Sequence, residues 1–192
     1  MSRFPHFVDE PYPCGRIERP FDYADNRWIS LTWKAFEAQV LRWRHAFYAS
    51  GLKPGDRAAM LLTNSIEAVI FDQAALAAGL IPVPLHAVDT PGSSAYILHD
   101  SGARILVTSS RARWNALHAA AGETLPMLEQ VVLLNELDDE VIDGVRISGV
   151  ETWLARGNGT PSEALPPEPS PDDLAGLIYT LSLIHISEPT RL

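Results

Sequence analysis

Cysteine is nearly missing from this chain: Cys14 is the one example in 192 residues. A single thiol excludes an internal disulfide framework and any metal site built on clustered cysteines, and the reducing cytoplasm is the expected compartment. Positive charge is scarce too. Fifteen Lys and Arg stand against 24 Asp and Glu, a formal net charge of −9. So acidic a chain lacks the basic face that nucleic acid needs and the polybasic patch that anchors a protein to anionic lipid. Long apolar runs are absent. Ala74–Val83 is among the longest, and Gly79 and Pro82 break it. It falls far short of the roughly 20 apolar residues of a membrane span. The first 20 residues contain no apolar core of the kind a secretion leader carries, so no leader is expected.

The common catalytic signatures are missing as well. There is no G-x-x-x-x-G-K-[ST], no G-x-G-x-x-G after a strand, and no G-x-S-x-G. The histidines at 6, 45, 86, 99, 118 and 185 show no metal-ligand spacing, and no metal site is expected. His99-Asp100 could form one corner of such a site but reads first as two surface groups at a helix end. Cys14 has no histidine in a set geometry and is not read as a nucleophile. Trp33 and Trp43 belong to a helical apolar stripe and read as core.

What is present is ample apolar content, 46% of residues, enough for one sizeable core without staples. Residues 1–27 hold Pro5, Pro11, Pro13 and Pro20 and read as an irregular arm. Regular structure is expected over 28–156. Ile29-Ser30-Leu31 reads as a short strand, and Thr32 as the cap of a helix. Trp33, Phe36, Val40, Trp43 and Phe47 recur at spacings of three and four up to Gly51. Strands are expected near 57–63, 80–85, 104–108 and 130–134. Pro82 and Pro84 put the second of these at a sheet edge or bend. Helices fill the gaps. Their expected signals are an Asn64–Glu67 capping box, Thr90-Pro91 at a helix start, Gly102 at a helix end, and Ser109 or Ser110 as a cap.

Near-continuous apolar strands alternating with helices predict an α/β fold with a doubly wound, mainly parallel sheet covered on both faces. Asp138-Asp139-Glu140 reads as a solvated loop. Residues 157–171 (GNGTPSEALPPEPSP) read as a Pro/Gly-rich linker, and Asp172–Thr180 as a returning strand.

Several stretches, in order, carry a resemblance. They are Leu31-Thr32-Trp33; Gly51-Leu52-Lys53-Pro54-Gly55-Asp56-Arg57; Leu62-Thr63-Asn64-Ser65 with Glu67; Ala78 to Leu85 (AGLIPVPL); and Asp100-Ser101-Gly102-Ala103-Arg104. Together they resemble the N-terminal part of the AMP-forming adenylating enzymes, the acyl-CoA synthetase family, with the fatty-acyl members closest. The resemblance implies the incomplete N-terminal part of that family's large domain. It implies a parent enzyme that joins a carboxylic acid to ATP, releases pyrophosphate, and passes the acyl group to coenzyme A. ATP, Mg2+ and coenzyme A are the implied cofactors and co-substrates. Location would be cytoplasmic, with peripheral attachment to membrane left open.

Leu174 to Thr180 resembles the run into the family's phosphate loop, Y-T-S-G-[ST]-T-G-x-P-K-G, which makes Thr180 the implied start of the ATP site. The chain then departs from that pattern. Residues 181–192 (LSLIHISEPTRL) supply no glycine and no lysine and read as a foreign tail. The implied catalytic residues fall beyond the chain, and a chain without that loop is expected to be inactive. Two other readings stay open: a non-catalytic α/β interaction or regulatory domain, and another adenylating enzyme, amino-acid-activating or luciferase-like.

Overall fold

The computed structural model describes residues 17–18, 30–122, 125–136, 139–167 and 169–180. The arm at 1–27, apart from Ile17-Glu18, and the tail at 181–192 lie outside the described residues, as does Asp138.

A two-residue strand, β1 (Ile17–Glu18), pairs antiparallel with β2 (Ser30–Leu31). Helix α1 (Trp33–Ala49) follows, and the Thr32 hydroxyl accepts from the Ala35 amide at 3.2 Å. The main sheet and its helices then alternate: β3 (Arg57–Leu61), α2 (Ile66–Ala77), β4 (Ile81–Pro84), α3 (Pro91–Ser101), β5 (Ile105–Thr108), α4 (Arg111–Ala121) and β6 (Gln130–Leu133). A hairpin of β7 (Asp139–Ile142) and β8 (Val145–Gly149) and a short helix α5 (Val150–Arg156) complete the described order, with one 3-10 turn at Ser162–Ala164. The six strands lie in the order β4-β3-β5-β6-β8-β7. All neighbours are parallel except the β7–β8 pair. The doubly wound parallel sheet expected from the alternation of patterns is therefore present.

Strand β5 explains the layering. Ile105, Leu106, Val107 and Thr108 are all fully buried. Successive side chains point to opposite faces. Ile105 and Val107 join a cluster with α1, α2 and α5, while Leu106 joins one with α3 and α4. The first cluster is knit by aromatic rings meeting edge to face: Trp43–Trp153 at 5.2 Å, Phe47–Trp153 at 5.1 Å and Phe47–Phe71 at 5.6 Å between centroids. The Trp153 indole, fully buried, donates to Ser50 Oγ at 2.8 Å, which satisfies its one polar atom. Charged side chains pin the ends where the parallel strands begin. Arg104 grips Glu129 with two nitrogens, at 3.0 and 2.8 Å, and also pairs with Asp56. Arg57 donates to the carbonyls of Ser101 at 2.8 Å and Gly102 at 3.1 Å.

Three expectations are corrected. The cap of α2 is Ser65, whose hydroxyl accepts from Ala68 N at 3.2 Å, so Asn64 and Glu67 form no capping box. Asp139 and Glu140 are not loop: they lie in β7, an exposed edge strand, where Asp139 pairs with Arg156 at 2.8 Å and Glu140 pairs with Arg111. The β7–β8 turn is Asp143-Gly144, both at positive φ (51° and 83°), a two-residue hairpin that Asp-Gly favours. Asp172–Thr180 is not a strand. A backbone bond from Leu177 N to Pro82 O at 3.0 Å ties it to the sheet. The physical reason lies in β4. Ile81 and Leu85 turn their amides toward β3, so residues 82 and 84 face outward, and both are prolines without an N–H. An edge of acceptors alone cannot sustain a ladder.

Residues 157–171 are tacked to the fold. Arg44 donates to Pro166 O at 2.7 Å. Gly157, at the end of α5, passes so close to α1 that a Cβ there would lie 2.7 Å from Ala46 N and 2.8 Å from His45 C. Both are backbone atoms and cannot swing away. Gly157→Ala is therefore expected to destabilise the fold by roughly 1–3 kcal/mol. Gly92→Ala, at a helical position with open space around it, should be neutral or stabilising by up to about 1 kcal/mol. Urea unfolding of the two variants against the parent chain checks the contrast.

Candidate functional site

Parallel strands with helical crossovers send all their carboxyl ends to one pole, and the helices that follow begin there. In this sheet the chain leaves β3 for β4 on one side and later passes to β5 on the other. The reversal of direction lies between β3 and β5, the place where ligands settle in open α/β sheets. Of the helices that start at this pole, α2, α3 and α4 are capped by a hydroxyl, whereas α5, which follows β8, begins after Gly149 with no side-chain cap. Ser65 caps α2, Thr90 caps α3 with its Oγ1 accepting from Ser93 N at 3.2 Å, and Ser110 caps α4 with its Oγ accepting from Arg113 N at 3.4 Å. The Thr90 and Ser110 caps are as the sequence led one to expect. Arg113 also donates to Ala87 O at 3.2 Å, tying the start of α4 to the loop after β4.

The segment 174–180 runs along this side of the molecule, past β4 and onto α3. Leu177 and Tyr179 pack against the core beneath α3 and α4. The Tyr179 hydroxyl donates to Asp100 Oδ2 at 2.6 Å, across 79 residues of sequence. Thr180 thereby reaches a cavity of about 420 Å³ lined by His86, Asp89, Ser93, Tyr96 and Tyr179. Sequence reasoning named Thr180 but passed over these neighbours. Asp100, read as a surface group, is the acceptor that holds Tyr179. No local pattern could have shown a bond between residues so far apart.

Among the described residues no group of three or more His, Cys, Asp or Glu side chains could hold a metal ion. No helix among the described residues is long and apolar enough to cross a membrane.

Fold and pole together define a doubly wound α/β domain with its ligand side at the carboxyl ends of the sheet. The chain belongs to the AMP-binding enzyme family, whose family model matches residues 15–180. Malpibaldin synthetase of Mortierella alpina is 39% identical over 79 residues, 41% of this chain and 1% of that protein. The long-chain-fatty-acid–CoA ligase of Escherichia coli O157:H7 is 28% identical over 149 residues, 68% of this chain and 26% of the ligase. The chain thus spans about a quarter, or much less, of these curated relatives. Among solved structures, an acyl-CoA synthetase of Brucella canis matches with a TM-score of 0.65 at 23% identity, over 84% of this chain and 28% of that one. That likeness is one of fold.

Burial first, then the hydrogen bond to the Asp100 carboxylate and its charge, push the Tyr179 phenol up to about 12. The folded value lies above the ordinary one of about 10, so the fold favours the neutral phenol. Its contribution to stability is complete below about pH 10 and is lost as pH rises through about 12. Tyrosinate absorbance should show one late-titrating step that vanishes in Tyr179→Phe. In Asp100→Asn, which keeps an acceptor and removes the charge, the same step should move down toward 10.

Proposed function

We propose that this chain supplies the N-terminal α/β layer of an ATP-dependent acyl-CoA synthetase acting on fatty acids, in the cytoplasm. The observation that carries the reading is the likeness to the fatty-acid ligase, sustained over 68% of this chain. The position of Thr180 at the carboxyl pole supports it. In the reaction, a carboxylate oxygen attacks the α-phosphorus of ATP and pyrophosphate leaves with the electron pair of the broken P–O bond. The thiol sulfur of coenzyme A then attacks the acyl carbon, and AMP leaves. The attacking groups belong to the substrates, which accords with a chain that has no nucleophile–base pair in its motifs.

The part assigned to these residues is positioning. The Tyr179–Asp100 bond and the Leu177–Pro82 bond set where the chain emerges at Thr180. From there a phosphate loop would turn over the sheet. Phosphate binding needs close backbone N–H donors and positive charge. Glycine lets the chain adopt the positive φ such a loop requires. Residues 181–192 provide no glycine and no lysine, and we read them as non-native.

A second reading rests on the 39% identity to malpibaldin synthetase, a protein named for a different product. It makes the parent an adenylating enzyme for another class of acid.

Long-read sequencing of the source DNA across codons 170–200 should reveal a hydroxyl- and glycine-rich loop ending in lysine after Thr180. A confirmed Leu181–Leu192 followed by a stop codon would sink the truncation and favour an interaction domain. The 192-residue chain itself should show no exchange of labelled pyrophosphate into ATP with any acid. The product of the corrected gene should exchange with fatty acids and not with amino acids. Exchange with amino acids alone would transfer the assignment to the second reading.

A further inference from the structure

Helix α5 ends on a stretch that the proposed reaction leaves unused, Gly157-Asn158-Gly159-Thr160. Thr160 N donates to Gly157 O at 3.3 Å and closes a turn over the two residues between. Gly159 stands at φ 81°, in the left-handed region that a type II turn requires at its third residue. Gly157 is buried against the backbone of α1, with no room for a Cβ. Asn158 and Gly159 are exposed, and a Cβ on Gly159 would meet nothing within 4 Å. The turn is anchored at one end and open at its tip.

The open tip brings an electrophile and a nucleophile together. Asn158 ends in a carboxamide carbon, Cγ, and the next main-chain nitrogen, that of Gly159, is at the spacing that closes a five-membered ring. Closure is least hindered when glycine follows asparagine, since glycine has no Cβ to crowd the attacking nitrogen. Burial of that nitrogen or a hydrogen bond from it would slow the attack. Neither operates here: Gly159 is exposed, and among the described residues nothing accepts from its amide. The other described asparagines differ. Asn115 lies within α4, where Ala116 N is bonded into the helix. Asn64 and Asn135 precede Ser65 and Glu136, whose side chains crowd the nitrogen.

We propose that Asn158 is a site of spontaneous covalent modification that loosens α5 from α1. The Gly159 nitrogen gives up its proton to base and attacks Asn158 Cγ. The C–N bond of the carboxamide breaks, and its nitrogen leaves with the electron pair, taking up a proton, as ammonia. A succinimide ring remains. Water then opens the ring at either carbonyl, which leaves aspartate or isoaspartate at position 158. One water enters and one ammonia departs, so the step needs no oxidant, reductant or enzyme.

Position gives the change its consequence. The new carboxylate stands just past the C-terminal end of α5, where the helix already presents partial negative charge. Arg156, the cation of that last turn, is engaged by Asp139 at 2.8 Å. Isoaspartate also routes the main chain through the former side-chain methylene and lengthens it by one atom. The bond from Thr160 N to Gly157 O spans that atom. Gly157 has little room to absorb the shift, since even a Cβ there would fall 2.7 Å from Ala46 N.

The test ages the 192-residue chain in mildly alkaline buffer, folded and in urea, and reads its tryptic peptides by mass spectrometry. Peptide 157–191 holds Asn158 as its one carboxamide side chain, so a mass gain there is assigned without ambiguity. That peptide should gain the mass of an amide-to-acid exchange at similar rates in the folded and unfolded chain. It should also take label from an isoaspartyl methyltransferase. Asn115 should change only in urea. The aged chain should unfold at a lower urea concentration than the fresh chain, while Asn158→Ser, aged alike, keeps its midpoint. A peptide 157–191 that stays unmodified in the folded chain, or changes only in urea, overturns the proposal. Modification with an unchanged unfolding midpoint overturns the link to the seam between α5 and α1.

Discussion

The central strand must be dry on both faces, and most of the architecture follows from that. Four consecutive residues of β5, from Ile105 to Thr108, are fully buried, and side chains alternate from face to face. Each face must therefore be covered by helices. A parallel neighbour can be reached only by a crossover, and the helix is the crossover. Covering and connecting are then one solution. Burying a single side chain such as Leu106 contributes about 1.5–3 kcal/mol, and β6, buried at all four of its residues, repeats the arrangement beside it. The gathering of strand ends and helix starts at one pole is a by-product of that packing.

The two poles have different chemistry for the same reason. At the amino pole the strands begin beneath helix C-termini, and arginines collect there. Asp56, Arg57 and Arg104 all come from stretches that resemble family motifs. In the structure they serve as pins: Asp56 to Arg104, and Arg57 to the last carbonyls of α3. Conformity to a motif here reflects the need to hold β3, β5 and the end of α3 in register. At the carboxyl pole the helices begin, amides are free at their first turns, and hydroxyl caps are common. The segment that ends at Thr180 is delivered to this pole by a tyrosine–aspartate bond rather than by a strand ladder.

Local chemistry decided much of this protein in advance. Apolar runs bounded by Gly, Pro and capping hydroxyls located β3 to β6 and the helices between them, because burial periodicity and cap geometry depend only on near neighbours. Pro82 and Pro84 marked β4 as an edge strand, since a missing N–H is a property of the residue itself. Asp143-Gly144 flanked by Val141-Ile142 and Val145 was an equally local signal for a hairpin, masked by the acidic run before it. Tertiary structure alone decided the rest. It made Gly157, a residue of a Pro/Gly-rich stretch, the contact point of two helices. It turned Asp100 from a surface carboxylate into the partner of Tyr179. Those pairings join residues from 79 to over 100 positions apart, through sheet order and helix packing that no short window of sequence encodes.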